Sequence, residues 1–276
     1  MRHYHLLFPF LLAYCLLMVQ SCEDSVPRSE IDWDNQRIAN GVVLKSAVTN
    51  YLESFQAIHV LKIDPKKADF EFCVGVPGGR VLTSTFADSC GAVAAINGTF
   101  FNMAEGYNTH YISIKDSVIS TTAEGEFNFR ATGVFCATGE DVEITYWTRD
   151  KEKAGAAEYD YAMVSGPLLM ADNIEITLAD IPFNTARHPR SFVAVTAKGD
   201  ILLVAVDGRQ PGYAEGMSLP ELRELAHMLD CVDVLNLDGG GSTTLYVTGQ
   251  GQTGVVNKPS GGVERAVASI LYVMKH

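Results

Sequence analysis

Residues 57–63 (Ala-Ile-His-Val-Leu-Lys-Ile) alternate in polarity as a half-buried strand does, and residues 70–76 repeat the pattern until Pro77-Gly78-Gly79 closes it. Residues 81–88 predict a short helix. Residues 92–96 form a small, fully apolar strand that runs straight into Asn97-Gly98-Thr99-Phe100-Phe101-Asn102. From 111 to 148 the chain is strand-like and punctuated by Gly125, Gly133 and Gly139, whereas 149–160 is charged and reads as a surface loop or exposed helix. Residues 161–170 read as a buried strand broken by Gly166-Pro167, a break that lines a site or turns a corner.

The C-terminal third is the clearest part. Residues 191–197 and 201–206 flank Lys198-Gly199-Asp200 as a β-hairpin. Ser218-Leu219-Pro220-Glu221 is a capping box that opens a helix to Asp230, with Leu222, Leu225, Ala226 and Leu229 as its apolar stripe. Strands are expected at 232–237, 244–248 and 267–273. A strand–helix–strand unit over 201–237 leaves its two strands parallel, so that Asp207 and Asp238, which follow them, emerge at one edge. The pattern as a whole predicts an α+β or mixed α/β fold: a single domain over 55–276, with a central mixed β-sheet flanked by helices and a site at the C-terminal ends of the strands.

The run Asn236-Leu237-Asp238-Gly239-Gly240-Gly241-Ser242 lies at that edge. Three glycines after a strand let the backbone approach a ligand closely, and Asp238 and Ser242 add a carboxylate and a hydroxyl. A tight turn between two strands is the plainer reading. Val206-Asp207-Gly208-Arg209 repeats the theme, since an apolar run again ends in Asp-Gly.

Charge narrows the ligand. The chain carries a formal −12, and removal of residues 1–21, which hold Arg2 and no acid, makes it −13. An acidic chain without Lys/Arg clusters is a poor partner for nucleic acid or anionic headgroups, so an anion must be held by individual arginines and backbone amides. Residues 1–21 read as a signal peptide, with an apolar stretch at 6–19 too short to span a bilayer comfortably. Val19-Gln20-Ser21-Cys22 resembles a bacterial lipobox, which makes Cys22 the lipidated first residue and 22–54 a tether and N-terminal extension. The chain is then exported and anchored by lipid, facing the periplasm or cell surface; ordinary signal-peptidase cleavage and a plain membrane anchor are the other readings. Cys73, Cys90, Cys136 and Cys231 show no zinc spacing and leave three disulfide connectivities or buried free thiols open.

Three motifs drop out. Gly249-Gln250-Gly251-Gln252-Thr253-Gly254 matches a dinucleotide fingerprint, but the residues after it cannot open the required helix. Gly240-Gly241-Ser242-Thr243-Thr244 lacks the second glycine of a nucleophile elbow. Asn97-Gly98-Thr99 is a glycosylation sequon that means little in a bacterial lipoprotein. What remains is a set at strand ends and turns: Asn97, Arg187, His188, Arg190, Asp207, Arg209, Asn236, Asp238, Ser242, Glu264 and Arg265. Carboxylates suit a cationic transition state and guanidinium groups a phosphate, which points to glycosyl or phosphoryl chemistry.

Ala95-Ile96-Asn97-Gly98-Thr99-Phe100-Phe101, Ser165-Gly166-Pro167, Arg187-His188-Pro189-Arg190-Ser191, Val206-Asp207-Gly208-Arg209, the capped helix and the glycine block occur in that order. In this the chain resembles the phosphodiester glycosidase family. The resemblance implies hydrolysis of a sugar-phosphate diester or phosphoglycan at the anomeric carbon, releasing free sugar (N-acetylglucosamine or a related one) and a phosphomonoester. It carries roles over to Asn97, Arg190, Asp207, Asn236, Asp238, Ser242 and Arg265; Thr99 stands where the family's animal member has glycine. Arg190, with Arg265 and the amides from Gly239 and Gly240 to Ser242, would hold the phosphate, while Asp207 or Asp238 would be nucleophile or base. Asn97, Thr99 and Asn236 complete the substrate-binding set. No cofactor is required, although Asp207, Asp238 and carbonyl oxygens would suit calcium or magnesium. The alternatives are a non-catalytic glycan-binding lipoprotein, with Tyr107, Tyr111 and Tyr213 stacking on sugars, and a phosphodiesterase that cuts the other P–O bond.

Overall fold

The computed structural model describes residues 31–275. Residues 1–21, expected to be a signal peptide, and Cys22 lie outside the described residues. In chain order the elements are β1 (Asp34–Ala39), β2 (Val42–Tyr51), β3 (Ser54–Ile63), β4 (Phe70–Gly75), α1 (Thr83–Ser89), β5 (Ala94–Asn97), β6 (Ile112–Ile114) and β7 (Ser117–Ser120). There follow β8 (Gly133–Thr138), β9 (Asp141–Tyr146), α2 (Arg149–Ala154), β10 (Tyr161–Ser165), β11 (Leu168–Ala171), β12 (Ile174–Glu175) and α3 (Pro182–Thr185). The last are β13 (Arg190–Thr196), β14 (Ile201–Val206), α4 (Leu219–Met228), β15 (Cys231–Asn236), β16 (Leu245–Val247) and β17 (Ile270–Lys275).

The fold is α+β, as the pattern predicts, but its strands are divided among three sheets rather than one central sheet. The largest has the order β1-β2-β3-β14-β13-β15-β11-β12; the others are β7-β6-β10-β8-β9 and β16-β5-β17-β4. Neighbouring strands pair antiparallel throughout the large sheet. Since β14 and β15 both run antiparallel to β13, they are parallel to each other with β13 between them. Their C-terminal ends, and with them Asp207 and Asp238, therefore leave at one edge.

Both faces of the large sheet are covered, which is why β14 is buried at every position. On one face Leu61, Leu203 and Leu235 join Phe72, Ile96 and Leu271 of the β5 sheet and Phe135 and Met163 of the β8 sheet in one core. On the other, Leu219, Leu222, Leu225 and Ala226 of α4 pack on Val60, Phe192 and Val204. The α4 N-terminus has the full capping box: Ser218 accepts from the Glu221 amide, and Glu221 accepts from the Ser218 amide.

One expectation needs correction. Residues 34–51 are not part of a tether; β1 and β2 extend the large sheet through a turn at Asn40-Gly41, with Gly41 at φ +72°. Of the two readings open for the cysteines, free thiols hold at Cys73, Cys90, Cys136 and Cys231, and burial pushes Cys73 up to about 11 and Cys136 and Cys231 up to about 12. Among the described residues no helix is long and apolar enough to cross a membrane.

Candidate active site

The glycine block turns sharply out of β15, and each glycine there has its own steric reason. A Cβ on Gly239 would lie 2.7 Å from the Pro189 carbonyl oxygen, one on Gly240 3.1 Å from the Arg209 guanidinium, and one on Gly241 3.3 Å from that of Arg265. Gly240 also sits at φ +61°. The amides of this turn are not an open anion nest, contrary to the sequence reading. Gly239 N donates to Asp238 Oδ1 at 2.9 Å, Gly240 N to the Pro189 carbonyl at 2.9 Å, and Ser242 N to the Gly239 carbonyl at 3.2 Å. With those three donors satisfied by the turn and by Pro189, the glycines act by admitting two guanidinium groups against the backbone.

Arg209 and Arg265 thus share one cleft of about 300 Å³ with Arg190 and Arg130, and Asp238 is the carboxylate on its wall. Arg265 donates through Nε to Ser242 Oγ at 3.0 Å and through Nη2 to the Gly239 carbonyl at 3.2 Å, and lies 3.4 Å from Asp238 Oδ2. Ser242 is fully buried and serves to position Arg265. Arg209 adopts left-handed backbone at φ +59°, and its guanidinium donates to His188 Nδ1 at 3.2 Å. The preceding Gly208 is forced, because a Cβ there would meet Gly216 Cα at 2.8 Å and Pro189 N at 2.8 Å. Burial, then Arg190 and Arg209, holds the His188 pKa below its ordinary value.

Arg190 begins β13 and is 3% exposed. Its Nε donates to the Met217 carbonyl at 2.9 Å and its Nη2 to those of Phe183 and Ala186 at 2.7 and 3.0 Å. Burial and then Arg209 lower its pKa to about 10, so it stays charged at neutral pH. Arg130, which the sequence reading missed, is gripped by both oxygens of Glu126 and lies over Phe100, 4.7 Å from the ring centre. Phe100, Phe101 and Phe183 add aromatic surface to the same cleft.

Burial raises the Asp238 pKa above the ordinary carboxylate value; Ser242, Arg265 and the Gly239 amide pull against that shift without cancelling it. Asp207 has a different place. It is 1% exposed, accepts from Asn257 Nδ2 and Lys258 N at 2.9 Å each, and lies 3.5 Å from His59 Nε2. Its carboxylate ties the 257–258 segment to the sheet and is not on the cleft wall.

Asn97 and Asn236 are fully buried stitches rather than cleft-wall groups. Asn97 Nδ2 donates to the Asp238 carbonyl at 2.6 Å and Asn236 Nδ2 to that of Gly166 at 2.7 Å. Thr99 is 1% exposed. Arg187 pairs with Glu221 and Glu215, and Glu264 accepts from Ser84 at the start of α1. Of the tyrosines, Tyr111 is buried, Tyr213 lies under Lys258, and Tyr107 is exposed beside Asn102. Among the described residues no group of three or more His, Cys, Asp or Glu is arranged to hold a metal ion.

Similarity to known proteins includes this part of the chain. The family model for phosphodiester glycosidase matches residues 90–274. Human N-acetylglucosamine-1-phosphodiester alpha-N-acetylglucosaminidase is 22% identical over 235 residues, 76% of this chain and 44% of the human protein. A prophage-derived protein of Bacillus subtilis, YomE, is 31% identical over 97 residues, 35% of this chain and 14% of its own length. The chain thus spans less than half the length of these relatives. In structure it is similar to the catalytic domain of the zebrafish glucosaminidase, solved auto-inhibited by its pro-peptide, with a TM-score of 0.69 for a hypothetical protein from Synechocystis and 0.67 for the zebrafish domain. The identities are 16% and 15%; the matches cover 90% of this chain in both cases, and 64% and 85% of the other chains. The matched span holds every wall residue of the cleft, and the chain belongs to the phosphodiester glycosidase family.

Proposed function

We propose that this protein hydrolyses a glycosyl phosphodiester at the anomeric carbon, releasing free sugar and a phosphomonoester. The observation that carries the reading is the composition of one cleft: four guanidinium groups, one carboxylate and three phenylalanine rings, in a chain whose formal charge is −12. Guanidinium groups bind phosphate oxygens bidentately, and apolar rings cover sugar faces. A sugar alkoxide leaving group needs a general acid. A phosphomonoester, with a second pKa of about 6, departs at neutral pH without one. Charge stabilisation by Arg190, Arg209 and Arg265 replaces the acid, and Asp238 faces the oxocarbenium-like centre as nucleophile or base. Asp207, held in the protein interior, serves to brace the 257–258 segment behind the site. The lipobox-like residues 19–22 support export and anchoring through Cys22.

Purified protein incubated with methyl-phospho glycosides of several sugars, α-N-acetylglucosamine first, should release free sugar, and Asp238→Asn should abolish the release. No free sugar from any diester, with glycan binding unchanged in Asp238→Ala, would instead identify a binding protein.

A further inference from the structure

The four arginines of the cleft are not equivalent in charge. Arg130 is neutralised by the bidentate Glu126 contact, and Arg265 lies 3.4 Å from Asp238. Among the described residues neither Arg190 nor Arg209 has a carboxylate within ion-pairing distance; Arg190 meets backbone carbonyls and Arg209 meets a histidine nitrogen. A buried guanidinium without a carboxylate is costly, and the second positive charge of Arg209 beside it adds to that cost. An incoming anion relieves both. Two uncompensated positive charges match two negative ones, whereas a phosphodiester carries one.

We propose that the Arg190–Arg209 pair is built for a phosphomonoester dianion, so that the cleft binds the phosphomonoester product more tightly than the diester substrate and the product inhibits the enzyme. This rests on the phosphodiester glycosidase reading of the site. In the hydrolysis the bond between C1 and the phosphate oxygen breaks with its electron pair staying on phosphate. Water supplies the oxygen at C1, one of its protons is released, and the phosphate gains the second charge as the bond breaks. The same two guanidinium groups therefore favour the departing group over the bound diester, and retain it afterwards. Turnover in a cell then needs a reaction that consumes a phosphate monoester, by hydrolysis or by phosphoryl transfer.

The other charged and titratable groups facing the bound phosphate are Arg265, Asp238, His188 and the Arg130–Glu126 pair. Titration of Asp238 and His188 acts on any anion, so a non-titrating diester is the internal control. Binding of methyl phosphate, inorganic phosphate and dimethyl phosphate to the full-length protein is measured by calorimetry at about pH 5 and about pH 7.5. Across that interval a phosphomonoester goes from about one-tenth dianion to almost fully dianion. Relative to dimethyl phosphate, methyl phosphate should therefore bind about tenfold tighter at the higher pH. Inorganic phosphate should follow methyl phosphate if the phosphoryl dianion suffices, and both should inhibit diester hydrolysis competitively. Arg209→Gln, at an exposed position on the cleft wall, should erase the relative gain.

Equal affinity for methyl and dimethyl phosphate at the higher pH, or an unchanged ratio between the two pH values, overturns the inference even if diesters are hydrolysed. The converse result, dianion preference without hydrolysis of any diester, supports the dianion site and refutes the glycosidase reading alone.

Discussion

The side-chain amide of Asn97, at the end of β5, donates to the backbone carbonyl of Asp238, beyond the end of β15, at 2.6 Å. The two strands belong to different sheets. Asn97 Oδ1 meanwhile accepts from Ser191 Oγ at 2.6 Å and from Thr244 N at 3.2 Å, so one buried side chain fixes the glycine turn against two further segments. Asn97→Ala leaves three buried polar groups without their partner, at a cost of about 3 kcal/mol or more. Denaturant unfolding should show that loss together with a fall in kcat/KM; an unchanged midpoint would show that the stitch is dispensable.

Gly241→Ala separates space from stability. Its Cβ would come 3.3 Å from the Arg265 guanidinium, and Gly241 has no left-handed backbone to strain. Stability should change by less than about 1 kcal/mol. Misplacing Arg265 should lower kcat/KM by about 100-fold. Full activity in this variant would mean that the space at Gly241 does not set the working position of Arg265.

Asp238 makes a prediction about pH. Because its pKa is raised, the folded state holds the proton more tightly than the unfolded one does. Its contribution to stability is fully present below the ordinary carboxylate value of about 3.9 and is lost as pH rises through the raised value. Above that raised value the ionised, half-buried carboxylate is therefore a burden. Asp238→Asn should unfold at or above the wild-type temperature at pH 7, with the difference shrinking in acid, while activity falls by about 1000-fold or more. A variant clearly less stable than wild type at pH 7 would contradict the assignment.

His110 titrates in the opposite sense. It is fully buried against Phe100, at a ring separation of 5.2 Å, and burial lowers its pKa from 6.5 to about 4. The unfolded chain binds this proton first, so stability present above about pH 6.5 is lost as pH falls toward 4, by about 3 kcal/mol in all. Thermal unfolding across that window should flatten in His110→Gln. Parallel curves for the two proteins would locate the acid sensitivity elsewhere.

The sequence made local, periodic features legible and left directional ones hidden. The Ser218–Glu221 capping box and the hairpin of β13 and β14 are written within a few residues each, and the structure has both. The edge strand β1 and its neighbour β2 are hard to read because residues 34–51 are polar on one face; Asn40-Gly41 between alternating residues is the available signal. Asp207 and Asp238 look alike in sequence, each ending an apolar strand before glycine. Their difference comes from the 257–258 segment, far along the chain, which saturates Asp207 alone. Arg130 was invisible for a similar reason: Glu126 is its local partner, but the Phe100 and Phe183 rings that place it in the cleft come from other segments. A glycine run shows that a backbone is accessible, not where its N–H groups point.

The central claim is that the bond broken lies between the anomeric carbon and the phosphate oxygen. Hydrolysis of a methyl-phospho glycoside in ¹⁸O-water, with the products analysed by mass spectrometry and ³¹P NMR, tests it directly. The proposed attack at the anomeric carbon, with Asp238 as nucleophile or base, predicts label in the sugar at C1 and none in methyl phosphate; label in the phosphate product would mean P–O cleavage and would contradict it.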